Sequence, residues 1–186
     1  MGYLDQTLTI EDNEIYYNES GQKCEVMMDW EDELMSASAA YVCQNGGDIL
    51  EIGFGMGISA GYIQSHSIDS HTICENHPDI IPLAQNWAQN KPNVTIVTSS
   101  WYDVKDNLGT FDGIFYDTFG DGKWVHFSAS LSGLSNSNAL ATAWNSVPSA
   151  NNDYNIPTLE YDSYSVAPPS NSYFNHTTYY LPKWQM

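Results

Sequence analysis

The 186-residue chain contains no arginine. Its lysines number five (Lys23, Lys91, Lys105, Lys123 and Lys183) against 23 aspartates and glutamates, for a formal net charge of −18. The isoelectric point falls near 4.1. Bidentate guanidinium clamps on a carboxylate or phosphate therefore cannot be built. A nucleic-acid partner is excluded, because such binding runs on Lys and Arg neutralising phosphates. An anionic membrane surface would repel the chain. Any anionic group on a ligand must be met by backbone N–H groups.

Cysteine is equally scarce. Cys24, Cys43 and Cys74 are an odd number at irregular spacing. They form no zinc pattern and predict neither a metal site nor a disulfide framework. Reduced thiols in a cytoplasmic protein are the economical expectation. The first residues are acidic and carry no apolar stretch of the kind a signal peptide needs. No run of 18 apolar residues occurs, so no membrane span is expected.

What the chain does have is enough apolar material for a core. Hydrophobic residues make 42% and aromatics 13%, which answers the suspicion of disorder that the charge raises. The length suits one main domain. Residues 1–25 read as an N-terminal appendage, with Leu8–Ile10 and Glu14–Tyr17 as a short hairpin around the acidic turn Glu11–Asn13. The domain proper is expected over 26–186. Met27, Trp30, Leu34, Ala37 and Tyr41 recur at helical steps from Val26 onward, and Asn45–Gly47 stops that helix.

Strands and helices then alternate. Apolar or β-branched runs at Asp48–Ile52, His71–Glu75, Asn93–Thr98 and Thr110–Tyr116 predict four strands. Helices are expected from Ile58 to Gln64 and from Pro78 to about Asn90, proline suiting a first turn. A further helix is expected over Trp124–Leu134 and a fifth strand over Ala139–Trp144. Residues 145–157 read as loop. Thr158–Val166 and Tyr173–Leu181 alternate as two last strands joined at Pro168–Asn171. The pattern predicts an α/β fold with a mostly parallel sheet, helices on both faces and a shortened C-terminal third.

The most informative segment is Glu51-Ile-Gly53-Phe54-Gly55-Met56-Gly57-Ile58. A strand ends in an acid and enters three alternating glycines before a helix. Such a turn lets backbone approach a ligand at the carboxyl edge of the sheet. The spacing G-x-G-x-G differs from the G-x-G-x-x-G of dinucleotide binders. Glu75 ends the next strand, where it can accept hydrogen bonds from ribose hydroxyls. With Glu51 ahead of the first glycine, the site suits the cationic sulfonium and amino groups of S-adenosyl-L-methionine better than NAD.

Several motifs in order carry a resemblance. Val26-Met-Met-Asp-Trp-Glu31, Met35, the glycine turn, Glu75, Trp101-Tyr-Asp-Val104 and Phe111-Asp-Gly-Ile-Phe-Tyr-Asp-Thr118 resemble guanidinoacetate N-methyltransferase and the arginine δ-N-methyltransferases. The match spans 26–118 and returns weakly at Ala167–Pro169 and Tyr179–Tyr180. The resemblance implies a Rossmann-like class I methyltransferase with a seven-stranded sheet. It implies that Met27, Met35 and Gly53 to Ile58 surround the methionine part of S-adenosyl-L-methionine, whose product is S-adenosyl-L-homocysteine. Glu75 would hold the ribose with Asn76 beside it, and Trp101 and Tyr102 would flank the adenine. Glu31 and Asp117 would bind a guanidino group. The family's lysine-proline-glycine turn before the fifth strand is replaced here by Ser135-Asn-Ser-Asn138.

The chemistry expected is methyl transfer to nitrogen. Asp117 is the main orienting base and Glu31 its partner. A substrate carboxylate would meet backbone amides near Thr118 or Asn145. Bland readings stand beside these: Trp101 as core, Met27 and Met35 as helix packing, Glu31 as a solvated helix residue. The acceptor is expected to be a guanidino compound such as guanidinoacetate, or another amine. Two other functions remain open at this level: a cofactor-binding module without turnover, and aminopropyl transfer to a polyamine.

Overall fold

The acidic turn at Glu11–Asn13 does reverse the chain, and a second reversal follows it. The computed structural model describes residues 2–154, 156 and 160–186. β1 (Thr9–Ile10), β2 (Glu14–Glu19) and β3 (Gln22–Met28) form an antiparallel three-stranded sheet. The helix expected from Val26 therefore begins later. Met27 and Met28 are strand residues, paired with Ile15 and Glu14. Cross-strand pairing overrides the helical spacing of Met27 and Trp30. A 3₁₀ turn, Asp29–Glu31, leads into α1, Asp32–Val42. Asp32 and Glu33 sit in its first turn, where the helix dipole favours acids. The position 25/26, expected as a domain boundary, falls inside β3.

The alternation that follows is built as expected, with one short helix added between the third and fourth of its strands. β4 (Asp48–Ile52), α2 (Ile58–Ser65), β5 (Ser70–Cys74), α3 (Ile81–Ala88), β6 (Val94–Val97), α4 (Trp101–Val104), β7 (Phe111–Tyr116), α5 (Phe127–Leu134) and β8 (Ser135–Ala143) run in order. α3 starts three residues beyond Pro78; Pro82 is the proline inside its first turn. β8 follows α5 without a turn, so it begins four residues earlier than its apolar core suggests. β9 (Glu160–Ser165) and β10 (Thr178–Gln185) complete a seven-stranded sheet of order β6-β5-β4-β7-β8-β10-β9. β4 to β8 are parallel, and β10 is antiparallel to both neighbours. This is the Rossmann-like α/β architecture. Thr158 and Leu159, expected to open the sixth strand of this sheet, lie outside the described residues. Among the described residues, no helix joins β8 to β9.

The strand expected at Tyr173–Leu181 is displaced toward the C-terminus. The Asn171 side chain explains why. Its Oδ1 accepts from the backbone N–H of Tyr173 (3.0 Å) and Phe174 (2.7 Å), and its Nδ2 donates to the Phe174 carbonyl (2.8 Å). Residues 171–174 are thus curled by a local side-chain turn instead of extended. Pro182 sits within β10, where the ladder to β8 is confined to Trp184 and Gln185. There the Thr142 hydroxyl donates to the Pro182 carbonyl at 2.6 Å, a side-chain bond where the backbone pairing lapses.

The core lies on both faces of the sheet. One side gathers Leu50, Ile114, Tyr116, Phe127, Leu131 and Trp184; the other gathers Met35, Ala39, Val42, Ile49, Ile63 and Phe115. Met35, expected near a cofactor, is here a fully buried packing residue of α1. Cys43 and Cys74 are free thiols that burial pushes up to about 12, so they are inert. Among the described residues, no helix is long and apolar enough to cross a membrane.

Candidate active site

Five parallel strands end at one edge of the sheet, and their last residues meet there. Gly53 follows β4, Glu75 and Asn76 follow β5, Ser99 follows β6, Asp117 and Thr118 follow β7, and Trp144 follows β8. All of them line one cleft, the position a doubly wound sheet reserves for ligands.

The glycine turn is fixed by what presses on it. Gly53 has φ +96°, and a Cβ there would lie 1.8 Å from the Asp117 carbonyl oxygen. No other residue fits. A Cβ on Gly55 would lie 2.5 Å from the Met27 sulfur. That sulfur also accepts the Met56 N–H at 3.3 Å. β3 is thus packed onto the turn, and Met27 reaches the cleft from a strand.

Glu75 organises the same wall. Its carboxylate accepts from the backbone N–H of Phe54 (3.0 Å), Asn76 (2.8 Å) and His77 (2.8 Å). It ties the β4 turn to the β5 turn, and a carboxylate retains acceptor capacity beyond three bonds. Trp101, expected to flank an adenine, lines the cleft. It is buried, and its Nε1–H donates to Asp121 at 3.3 Å.

Two further acids belong to the cleft. Glu31 and Asp117 both face the cleft. Burial, and then the charge of Asp117, raises the Glu31 carboxyl well above the usual carboxylate range. Burial, and then the charge of Glu51, raises Asp117 likewise. Glu31 Oε1 accepts the Met28 N–H at 3.0 Å and the hydroxyl of Tyr173. The Tyr173 hydroxyl accepts in turn from Trp30 Nε1 at 3.1 Å. Trp30, Trp144 and Tyr173 form an aromatic triangle, with centroids 6.0 to 6.3 Å apart.

Not every expected residue reaches the cleft. Glu51 is buried behind the turn, its carboxylate taken by the Ser59 hydroxyl and by His71 Nε2 at 2.9 Å. Met35, Met56, Gly57 and Ile58 back the turn and do not line the cleft. Tyr102 points away from it and stacks on His126 at 4.5 Å. Asn145 is spent on its own loop: Nδ2 donates to the carbonyls of Asn151 (2.9 Å) and Tyr180 (2.8 Å), and its N–H goes to the Tyr179 hydroxyl (3.0 Å). That backbone amide cannot also hold a substrate carboxylate.

Other lining residues escaped the sequence reading. Tyr3 closes one end, its ring 4.6 Å from His77 and 5.1 Å from Phe119. Asp121 accepts from the Tyr116 hydroxyl at 2.9 Å. Trp144 was detectable in principle, since it ends a parallel strand. Tyr173 and Tyr3 carried no local signal.

The motif order and this geometry are matched by a family model. Residues 8–131 match the model described as guanidinoacetate N-methyltransferase. The chain belongs to the guanidinoacetate N-methyltransferase family, within the class I S-adenosylmethionine-dependent methyltransferases. It is 38% identical over 133 residues to protein arginine N-methyltransferase 2 of Yarrowia lipolytica, covering 65% of this chain and 28% of that protein. It is 41% identical over 107 residues to the protein of the same name from Eremothecium gossypii, covering 52% and 26%. The chain thus spans under a third of the length of these curated relatives.

Among solved structures it is similar to spermidine synthase from Thermotoga maritima, with a TM-score of 0.64 at 13% identity over 96% of this chain and 72% of that one. It is also similar to precorrin-6y C5,15-methyltransferase from Geobacter metallireducens, with a TM-score of 0.63 at 14% identity over 83% and 88%. These likenesses show the fold.

The donor set suits the family's cofactor. A ribose finds Glu75 at the end of β5, and the cationic methionine part finds the glycine turn in a cleft lined by acids. Among the described residues lining the cleft, no side chain is cationic.

Proposed function

We propose that this chain transfers a methyl group from S-adenosyl-L-methionine to a nitrogen of a guanidino group, on a small molecule related to guanidinoacetate or on an arginine side chain. The observation that carries this reading is a pair of carboxylates, the buried Glu31 and the half-buried Asp117, in one cleft with the glycine turn. Burial raises both carboxyls, and an entering cation favours their charged form. A planar guanidinium answers both at once through paired N–H donors.

When bound, the cofactor supplies an electrophilic methyl on a positively charged sulfur. Met27, Gly53, Phe54 and Gly55 would flank its methionine part, Glu75 and Asn76 its ribose and Trp101 its adenine. Glu31, held by Tyr173, fixes the plane of the guanidinium. Asp117 orients the reacting nitrogen and takes the proton that nitrogen loses as its new bond to carbon forms. That proton then passes to water, which restores the site. Trp144 and Tyr173 line the cleft beside Glu31, and Trp30 packs behind them.

The test is a thermal-unfolding titration with S-adenosylhomocysteine, repeated with a guanidine present, followed by a turnover assay. A ligand at ~100 times its dissociation constant adds about 2.7 kcal/mol of stability. A shift enlarged by the guanidine, with a methylated guanidine formed on turnover, is the expected result. No shift at saturating ligand overturns the cofactor assignment. A shift without methyl transfer to any guanidine overturns the acceptor.

A further inference from the structure

A second chamber, of about 490 Å³, shares a wall with the cleft: Thr118, Asp121 and Trp144 line both. Its outer walls include Trp124, Asp153 and Tyr154, and among its described lining residues there is no lysine or histidine. Lys123 adjoins Trp124 in sequence, but its ammonium is drawn aside over the Tyr102 ring, 5.3 Å from the centroid.

The two carboxylates of the chamber differ. Asp121 is engaged by the Tyr116 hydroxyl, Trp101 Nε1 and the Lys123 N–H. Asp153 is exposed and has no hydrogen-bond or ion-pair partner among the described residues. Beside it Trp124 is 42% exposed and meets Tyr154 edge to face at 6.4 Å and 89°. An indole left this open at the mouth of a cavity is not core packing. An open indole face next to an unpaired carboxylate is a setting that attracts an organic cation.

We infer that this chamber is a subsite for a second positive group on the acceptor. The favoured acceptors are then dicationic: a guanidine at one end, and an ammonium or second guanidine a few carbons away. The inference rests on the methyl-transfer reading above and narrows its acceptor. It makes a guanidine whose other end is a carboxylate the poorer substrate, since that carboxylate would enter an anionic chamber with no cation to meet it.

The experiment compares ω-aminoalkylguanidines of increasing chain length with alkylguanidines of equal length that end in methyl. Turnover is followed with S-adenosylmethionine, and kcat/KM is measured for each. The charged member of the pair is expected to win by ~10-fold at its best length, the factor an ion–aromatic contact plus an ion pair supplies. Asp153→Asn and Trp124→Leu should each bring that ratio toward one, with S-adenosylhomocysteine binding confirming a folded protein. A ratio near one at every length, or a ratio that survives both substitutions, overturns the subsite alone. Absence of turnover with every guanidine overturns the methyl-transfer reading and the subsite with it.

Discussion

The wall of the cleft that runs from Gly53 to Asn76 is held by backbone bonds and by the Glu75 carboxylate on its own turn; the wall that carries Tyr173 is held by side chains far apart in sequence. In the first, Gly53 N–H bonds to the Cys74 carbonyl at 2.8 Å and Asp117 N–H to the Ile52 carbonyl at 2.9 Å. In the second, Tyr173 bonds to Glu31, and Ser172 bonds to Glu25 at 2.7 Å, both across more than 140 residues. Backbone walls tolerate sequence change wherever a glycine is not required. Side-chain walls can be re-cut by a few substitutions. The difference suits a fixed cofactor on one side and a variable acceptor on the other.

Gly53→Ala should break the backbone wall most severely. Its Cβ would overlap the Asp117 carbonyl, and φ +96° is strained for any side chain. We expect a loss of about 3 kcal/mol or more, read as a lower midpoint of unfolding with loss of S-adenosylhomocysteine binding. A variant as stable as the parent would show that the turn relaxes freely.

Asp117→Asn attacks the junction of the two walls. The side chain keeps its shape and loses its charge and its basicity. We expect kcat to fall by ~100-fold or more, the usual contribution of a positioned base. The stability of the free protein should change in the other direction. A carboxyl whose folded pKa is raised contributes stability that is full below its unfolded pKa and is lost as pH rises through the folded value. Asp117 is such a group. The parent should therefore lose stability on going from acidic to neutral pH, and the Asn variant should lose less, as thermal unfolding across that range would show. Equal pH dependence in both would remove Asp117 as the source.

This contrast also explains what the sequence made legible. The strands β4 to β7 and the glycine turn were readable because their signals are local: β-branched runs, and glycines where φ must be positive. Glu75 and Asp117 were readable because residues at the ends of parallel strands face the ligand edge. Met27 was placed beside the cofactor but on the wrong element, since only its pairing with Ile15 reveals a strand. Tyr173 was invisible, because its role depends on Asn171 curling the backbone and on Glu31 waiting across the fold. Asn145 was misjudged for the same reason: its amide is claimed by partners that no spacing rule predicts.

Tyr173→Phe tests the side-chain wall alone. The hydroxyl bond to Glu31 works against burial and holds that carboxyl lower than it would otherwise be. Removing it should raise Glu31 further. If Glu31 must be ionised to hold the guanidinium, activity is lost as pH falls through its pKa. The acidic limb of the kcat/KM profile should then move to higher pH, with about a tenfold loss at neutral pH. Affinity for S-adenosylhomocysteine should stay within about twofold, because the other wall is untouched. No loss at any pH would mean that the phenol only fills space.

The smallest effect separates two methionines that sequence reasoning treated alike. Met35 is sealed in the α1 face of the core, whereas Met27 presses its sulfur on Gly55 and accepts the Met56 N–H. Leucine conserves the volume of methionine, so Met35→Leu should cost under about 1.5 kcal/mol and leave cofactor affinity unchanged. Met27→Leu removes the sulfur acceptor and puts a branched carbon against the turn, so it should weaken S-adenosylhomocysteine binding several-fold at a similar cost in stability. Titrations of the two variants side by side decide the matter. Equal affinities would mean that β3 supports the glycine turn by shape alone, and that the backbone wall needs nothing from the N-terminal sheet beyond contact.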